Sequence, residues 1–198
     1  WTPAMWEKVL WSDESPFVLR FNRKRRVWRI SNSGWQPRNC VGTVKHDKKL
    51  NVWGCFSAHG VGRLYRIEGI MKKEDYVMIL DNELRPSAAT LFPDGNFIFQ
   101  QDNDPKHTAN IVKDWFGDNA IIKLEWPSQS PDLNPIENLW SILDMRLKDR
   151  KVNTLNELLL VLQDGWKAIP VETLRDLVQS MPKRIEAVIK AKGYATKY

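Results

Sequence analysis

Three acidic residues at the borders of predicted strands and helices have the chemistry to bind divalent metal ions together. Asp13 closes the strand-like stretch KVLWSD, Asp102 closes NFIFQQD, and Glu137 lies at the start of a predicted helix in SPDLNPIENLW. Carboxylate oxygens are the ligands that Mg²⁺ prefers, and phosphoryl-transfer enzymes collect them from separate elements of the fold. The three residues are therefore candidates for a metal-dependent phosphoryl-transfer site.

Each of these residues also has a structural interpretation, and the local sequence leaves both open. An Asp at a strand end is commonly a turn residue, and Asp104 followed by Pro105 is an ordinary turn signal. Asn134 is a good helix N-cap, Pro135 suits the first helical position, and Glu137 at the third position can reach back to the cap. Taken singly, none of the 24 acidic residues is selected for chemistry.

The elements that must position these residues are antiparallel strands followed by strands that alternate with helices. Strands are predicted at 8–13, 16–21, 26–30, 49–58, 63–69, 96–102 and 121–126. Helices are predicted at 73–84, where Pro86 discourages continuation, and at 107–116, 135–148, 154–168 and 171–191, the last interrupted by Pro182. This order predicts an α/β fold with a mixed sheet flanked by helices, in which functional sites gather near strand ends.

Length, composition and cysteine usage narrow the class of protein. A chain of 198 residues with 42% hydrophobic and 27% charged residues is predicted to form one soluble globular domain. The net charge of +6 favours a polyanionic partner such as nucleic acid or acidic lipid. Cys40 and Cys55 form no CxxC pair and the histidines no HxxxH pair, so we expect reduced cysteines and no zinc site. No run of 18 apolar residues is present, so no membrane partner is expected, and the start at Trp1 indicates a fragment of a longer protein.

Long stretches around the three acidic residues resemble the catalytic-domain motifs of mariner-superfamily DNA transposases. They are WSDES around Asp13, QDNDPKHT around Asp102 and WPSQSPDLNPIENLW around Glu137. The Tc branch, which contains Sleeping Beauty, carries Asp, Asp and Glu with 34 residues between the last two, and positions 103–136 here number 34. NVWGCFSAHGVGRLYRIEG and the terminal GYATKY are also similar to this branch, so the resemblance spans essentially the whole chain.

The resemblance implies a ribonuclease H-like fold and a cut-and-paste recombinase that uses two Mg²⁺ or Mn²⁺ ions per active site. It implies that Asp13, Asp102 and Glu137 are the catalytic metal ligands. The implied chemistry is hydrolysis at the inverted-repeat ends of the transposon, followed by attack of the freed 3′-hydroxyl on double-stranded target DNA at a TA step. A homodimer in the full-length complex and a location in the nucleus are also implied. The N-terminal DNA-binding units usual in this family match nothing in this chain.

Two groups of basic residues are candidates for DNA contacts. The first is a run beside Phe21 and Trp28, and it comprises Arg23, Lys24, Arg25 and Arg26. Basic residues with interleaved aromatics suit phosphate contact and base stacking, although a solvated hairpin face is the alternative. The resemblance places at residues 17–47 an inserted clamp loop that reaches the partner subunit. The second group, Arg146 and Lys148, either lines the same DNA channel or supplies favourable charge at a helix C-terminus.

Three polar residues near the acidic motifs have less specific predictions. Asn103 and His107 flank Asp102 and could contact the scissile phosphate or orient a ligand, and His107 could equally begin a helix. Asp132 precedes Glu137 by five positions, and we interpret it as a loop residue rather than as the third ligand.

Two other functions stay open on the sequence. The chain could be a transposon-derived protein that binds DNA without catalysis, although all three carboxylates are present. It could also be another ribonuclease H-like nuclease or a retroviral-type integrase. The integrase pattern usually differs in spacing and includes a zinc-binding domain, so the long motifs suit it less well.

Overall fold

A single mixed sheet of five strands runs through the computed structural model, which describes residues 1–19, 48–128, 130–148, 150–194 and 196. The strands are β1 (Val9–Val18), β2 (Lys49–Ser57), β3 (Gly60–Ile67), β4 (Ile98–Gln100) and β5 (Ile122–Lys123). Their order across the sheet is β3-β2-β1-β4-β5. β1, β2 and β3 are antiparallel neighbours, whereas β4 and β5 add in parallel. The predicted mixed sheet is confirmed.

Helices cover both faces of the sheet, as predicted. The helices are α1 (Pro3–Glu7), α2 (Lys73–Ile79), α3 (Arg85–Leu91), α4 (Asn110–Asp118), α5 (Ile136–Leu147), α6 (Leu155–Lys167), α7 (Val171–Gln179) and α8 (Met181–Lys190). One buried cluster joins the sheet to α2, α3 and α4, and a second joins the opposite face to α1 and to α5 through α8. The predicted break at Pro182 is confirmed, because α8 begins one residue earlier, where a proline costs no helical hydrogen bond. Within the described ranges, no helix is long and apolar enough to span a membrane.

β1 is the central strand, and it sends alternate side chains to the two layers. Val9 and Trp11 are fully buried in the cluster with α5 through α8, whereas Leu10 is fully buried in the cluster with α2 to α4. Side chains along a strand alternate between its two faces. The same alternation directs Asp13 toward the α5 layer and Glu14 toward the α4 layer.

Asp13 lies in the middle of β1, which corrects the prediction that the strand ends there. Pairing with β2 continues without interruption from Trp11 opposite Phe56 to Val18 opposite Lys49. The separate strand predicted at 16–21 is therefore wrong in its start, because its first residues continue β1. The polar residues from Ser12 to Ser15 suggested a strand end, but the backbone hydrogen bonds of a central strand do not require apolar side chains.

The first three residues of the insertion predicted at 17–47 belong to the core. Phe17 and Leu19 are buried in the core, and the backbone N–H of Leu19 donates to the carbonyl of Lys48 at 2.8 Å. The remaining positions, 20–47, lie outside the described residues. They include the strand predicted at 26–30 and the basic candidates Arg23, Lys24, Arg25 and Arg26.

The helix predicted to stop before Pro86 instead continues through a wider turn, Leu80–Leu84, into α3. In this π-helical turn the backbone N–H of Arg85 bonds the carbonyl of Leu80, five residues earlier. Pro86 has no N–H for the carbonyl of Asn82, and that carbonyl accepts a hydrogen bond of 3.0 Å from the Arg63 guanidinium instead. A side chain from β3 thus satisfies the group that proline leaves free, and the helix passes through it.

The segment around Asp102 is a longer loop than predicted. β4 ends at Gln100 and α4 begins at Asn110, so the predicted helix start at His107 is wrong. The carbonyl of Asp104 accepts hydrogen bonds from the backbone N–H groups of His107 and Thr108, at 2.8 and 3.1 Å. The Asp104-Pro105 turn signal therefore prevails over the helical pattern that follows it.

Cys55 is a free thiol buried in β2, as expected for a reduced cysteine, and Cys40 lies outside the described residues. Burial raises the pKa of the Cys55 thiol to about 12.

Candidate active site

Asp13 carries a partly buried carboxyl group whose charge the fold does not fully compensate. The indole Nε1–H of Trp140 donates to Oδ2 of Asp13 at 3.1 Å. Burial, together with repulsion from Glu137, raises the pKa of Asp13 to about 7 in spite of that hydrogen bond. The site therefore disfavours the ionised form of Asp13, because its hydrogen bonds do not offset the cost of burial and the repulsion from Glu137.

Glu137 approaches Asp13 from α5. It lies three residues before Trp140, so both side chains occupy the same face of the helix and point toward β1. Burial raises the pKa of Glu137, and a hydrogen bond with Asp13 partly opposes that shift. The structure thus brings together two of the three predicted carboxylates, and two carboxyl groups that share a site do not ionise together easily.

The start of α5 differs from the predicted capping box. The backbone N–H of Asn134 donates to the carbonyl of Pro131 at 2.9 Å, and no side chain caps the helix at Pro135. The amide of Asn134 instead accepts from the backbone N–H of Ile136 and donates to the carbonyl of Ser12, each at 3.4 Å. Asn134, predicted to act in capping alone, therefore also fastens the start of α5 to the strand that carries Asp13.

A buried arginine that the sequence interpretation missed supports the loop before α5. Arg184 of α8 is 2% exposed, and its guanidinium donates to the carbonyl of Asp132 at 3.0 Å and to Oδ1 of Asn138 at 2.5 Å. The carboxylate of Asp132, which lies in the short 3-10 helix Pro131–Leu133, accepts from the backbone N–H of Thr196. Arg184 follows the apolar Met181 by three positions, so it lies on the apolar face of α8. A charged residue at such a position was the sequence signal that could have revealed a buried arginine.

A glycine in β2 makes room for the indole that holds Asp13. Gly54 pairs directly opposite Asp13, and a Cβ at Gly54 would lie 2.7 Å from Cη2 of Trp140. The Trp140 ring stacks on Trp166 with centroids 5.1 Å apart, and Trp166 is anchored by a 2.8 Å hydrogen bond to the carbonyl of Gly62. A glycine inside a strand often marks such a close approach, so the WGCF stretch carried this signal.

Asp102 lies two residues beyond β4 and does not join the other two carboxylates. Its side chain is 51% exposed, and Oδ1 accepts from Nδ1 of His107 at 2.5 Å and from the backbone N–H of Asp104 at 3.1 Å. The hydrogen bond from His107 holds the pKa of Asp102 below its usual value. In the part of the chain that the structure describes, no three His, Cys, Asp or Glu side chains are arranged to hold an ion. The predicted grouping of all three carboxyl groups is therefore not found among these residues, and Asp102 bonds to His107 instead.

His107 is enclosed by acidic and aromatic side chains. Its Nε2 lies 3.1 Å from Oε1 of Glu14, and its ring packs against the ring of Tyr76 with centroids 4.0 Å apart. Burial opposes the charged imidazole, but the hydrogen bonds with Asp102 and Glu14 outweigh it and raise the pKa of His107 to about 9. Lys106 adds a second cation at Glu14, with its Nζ 3.3 Å from Oε2. The sequence interpretation gave Glu14 no role, because nothing in WSDES distinguishes it from other acidic residues.

The remaining predicted DNA contacts have other partners or no described contact. Asn103 donates to the carbonyl of Trp126 at 2.6 Å and so ties the loop after β4 to the loop after β5. The guanidinium of Arg146 bonds the carbonyls of Gly165 and Ala168, at 2.8 and 3.4 Å, and thereby closes the C-terminus of α6 rather than that of its own helix. Lys148 is exposed at the end of α5.

Comparison with known proteins identifies relatives for the whole chain. Residues 8–159 match the family described as DDE superfamily endonuclease. The chain is 45% identical over 201 residues to the transposable element Tcb1 transposase of Caenorhabditis briggsae, and 44% identical to the transposable element Tc1 transposase of Caenorhabditis elegans. Both alignments cover 100% of this chain and 73% of the relative.

Solved structures of Mos1 transposase share the fold. The Mos1 transposase paired-end complex with left transposon end has a TM-score of 0.82 at 21% identity, covering 98% of this chain and 57% of that chain. The catalytic domain of Mos1 mariner transposase has a TM-score of 0.76 at 18% identity, covering 98% of this chain and 86% of that chain. At such identities the likeness shows the fold alone, which is ribonuclease H-like, as predicted. The present chain spans little more than half of the Mos1 chain in the complex.

Substituting the glycine opposite Asp13 tests whether the indole of Trp140 needs that space. We expect Gly54→Ala to destabilise the fold by about 1–3 kcal/mol, because the added methyl group overlaps the Trp140 ring. Urea unfolding measures the change. Gly117→Ala is the matched control, because a Cβ there meets nothing within 4 Å and alanine is the better helix former. Equal stability of Gly54→Ala and the unmodified protein would contradict the proposed packing.

Neutralising the buried carboxyl group tests whether its charge costs stability. With divalent cations chelated at pH 8, we expect Asp13→Asn to be more stable than the unmodified protein by on the order of 1–2 kcal/mol. The folded pKa of about 7 exceeds the ordinary value of 3.8, so ionisation costs stability in full above pH 7, and the cost shrinks as the pH falls toward 3.8. Unfolding at pH 8 and pH 5 should therefore show a larger gain at pH 8. The exposed Asp114→Asn in α4 serves as control, and a pH-independent gain would count against this account.

Proposed function

We propose that this chain cuts transposon ends and joins them to target DNA. The premise is that the chain belongs to the DDE superfamily of endonucleases and is a transposase catalytic domain of the Tc1/mariner type. The observation that carries the proposal is the pair of carboxyl groups, Asp13 and Glu137, held together beside the Trp140 indole with uncompensated charge. The same two residues stand in the motifs that resemble this family. Cut-and-paste transposition is the activity that such a site would serve.

Asp13, Asp102 and Glu137 are the residues that would hold the ions, two Mg²⁺ or Mn²⁺ per active site. The donor set fits, because all three supply carboxylate oxygens and the raised pKa of Asp13 reflects a charge that a cation would neutralise. Mos1 structures are described with Mn and with Mg, which supports the same ions here. Once bound, the ions would supply Lewis acidity for the attacking oxygen and for the departing 3′ oxygen.

Hydrogen bonds within the chain would hold the three carboxylates in position. Trp140 orients Asp13, Asn134 fixes the start of the helix that carries Glu137, and His107 holds Asp102. In the first stage, the oxygen of water bonds to the phosphorus at a transposon end while the bond to the 3′ oxygen breaks. In the second stage, that freed 3′-hydroxyl attacks a phosphorus of the target at a TA step, and the target's own 3′ oxygen leaves. No covalent bond between protein and DNA is needed, so positioning and charge are the contributions of the protein.

Double-stranded DNA, comprising the inverted-repeat ends and a TA target, is the proposed substrate. The net charge of +6 and the Mos1 structure with a transposon end support it. Lys148 and the basic residues Arg23, Lys24, Arg25 and Arg26 remain the proposed phosphate contacts. The Mos1 paired-end complexes also support a homodimer for the full-length protein, and chromosomal DNA as substrate supports a nuclear location, which imaging of the tagged protein checks.

Replacing the Glu137 carboxylate by an amide tests the catalytic assignment. In the full-length protein, we expect Glu137→Gln to reduce Mg²⁺-dependent cleavage of transposon ends by roughly a hundredfold or more, because an amide is a weak ligand for a hard cation. The fold should persist, because the Glu137 carboxylate caps no helix and because burial already raises its pKa. Replacing it by a neutral amide therefore removes no favourable charge interaction of the fold. Cleavage is measured on labelled inverted-repeat DNA, with the unfolding midpoint as a measure of folding.

Glu172→Gln is the matched control, because Glu172 also lies in the first turn of a helix but has no described contact with Asp13, Asp102 or Glu137. Normal cleavage by Glu137→Gln would remove Glu137 from the active site. Binding of transposon ends without cleavage by the unmodified protein would favour the alternative of a DNA-binding protein that has lost catalysis.

A further inference from the structure

Asp13 lies in β1 and Asp102 in the loop after β4, and these two segments diverge where the pairing between β1 and β4 ends. The parallel pairing of β1 with β4 ends at Trp11 opposite Gln100. The side chain of Ser12 adds one more link, donating to the carbonyl of Gln100 at 2.8 Å. Beyond this point β1 continues beside β2, while the chain after β4 enters the loop 101–109. Asp13 and Asp102 thus both lie beyond the last backbone hydrogen bonds between β1 and β4. Those bonds therefore do not set the distance between the two carboxylates.

One imidazole bridges this gap. Nδ1 of His107 lies 2.5 Å from Oδ1 of Asp102, and Nε2 lies 3.1 Å from Oε1 of Glu14. Carboxylate oxygens accept hydrogen bonds, so each ring nitrogen donates one. Glu14 directly follows Asp13 in β1, so the bridge connects the strand of the first carboxylate to the loop of the second.

The imidazole is itself held from several directions. The ring of Tyr76 packs on it at 4.0 Å, and the Tyr76 hydroxyl donates to Oε1 of Gln101 at 2.8 Å. The amide of Gln101 in turn donates to the backbone carbonyl of His107 at 3.0 Å. His107 is only 3% exposed. A ring with two charged partners, a stacked neighbour and a fixed backbone has one available orientation, which is what a positioning group requires.

We propose that Glu14 and His107 are positioning residues for metal binding, which set the place of Asp102 relative to Asp13. The two hydrogen bonds to Asp102 described above both end on Oδ1, so Oδ2 is the oxygen that we assign to the metal ion. Hydrogen-bonded partners of ligating carboxylates orient them and typically govern metal affinity by about 10- to 100-fold. This inference rests on the proposed function, because it takes Asp102 as a ligand.

The test measures Mn²⁺ binding directly, by calorimetry on the full-length protein without DNA. His107→Phe keeps a ring against Tyr76 and removes both N–H donors, so we expect Mn²⁺ affinity to fall roughly 10-fold or more. Glu14→Gln keeps an acceptor for His107 and loses the charge, so a smaller fall is expected. The Mn²⁺ concentration for half-maximal cleavage should rise more for His107→Phe than for Glu14→Gln. Much of the cleavage rate of both variants should be recovered at saturating Mn²⁺.

His59→Phe is the matched control, because His59 also contacts an aromatic ring, that of Phe92, but is exposed and has no described contact with a carboxylate. It should leave Mn²⁺ affinity unchanged. A folded His107→Phe with unchanged Mn²⁺ affinity overturns the proposal. Where His107→Phe fails to fold, Glu14→Gln decides, and unchanged affinity in that variant overturns the proposal equally.

Asp102→Asn separates this inference from the proposed function. If Asp102→Asn leaves Mn²⁺ affinity intact, Asp102 is no ligand, and the proposed metal site and the inference fall together. If Asp102→Asn abolishes binding while folded Glu14 and His107 variants bind normally, only the positioning role is lost.

Discussion

The alternation of side chains along β1 is the constraint on which the active site depends. Because neighbouring residues of a strand face opposite ways, the successive carboxylates Asp13 and Glu14 enter different layers of the protein. Burying a carboxylate is costly unless it is paired. Glu14 is paired with the cations His107 and Lys106, whereas Asp13 has no cationic partner among its described contacts: it receives hydrogen bonds from the Trp140 indole and the Glu14 backbone and is repelled by Glu137. One strand therefore supplies both a compensated structural charge and an uncompensated charge that is available for chemistry.

The layer around the uncompensated charge is built to hold its shape against that repulsion. Trp140 is fixed by its stack on Trp166 and by the absence of a side chain at Gly54. The start of α5 is tied to β1 through Asn134, and the preceding loop is tied to α8 through the buried Arg184. Functional sites commonly keep such destabilising arrangements, and the surrounding packing offsets their cost.

Much of the fold followed from local patterns, and three of the errors have a common origin. The mixed sheet and the break at Pro182 were predicted, because hydrophobic period and proline chemistry act within a few residues. Three local signals misled: polar residues that suggested a strand end at Asp13, a proline that suggested a helix end at Pro86, and a capping box at Glu137. In each case a distant segment supplied the missing partner, such as the Arg63 guanidinium that bonds the carbonyl left free by Pro86. Tertiary contacts overrode the local preference.

By itself, the sequence determined the family and the three candidate carboxylates, because long motifs in a set order are specific where single acidic residues are not. The tertiary structure alone decided how those carboxylates are held. Trp140 and Asp13 are 127 positions apart, and His107 and Glu14 are 93 apart, so no helical or strand period could relate them. It also decided that Asp13 and Glu137 share one environment while Asp102 bonds to a histidine. Burial and charge in a folded core depend on which segments meet, and that is settled only when the sheet and its two helical layers assemble.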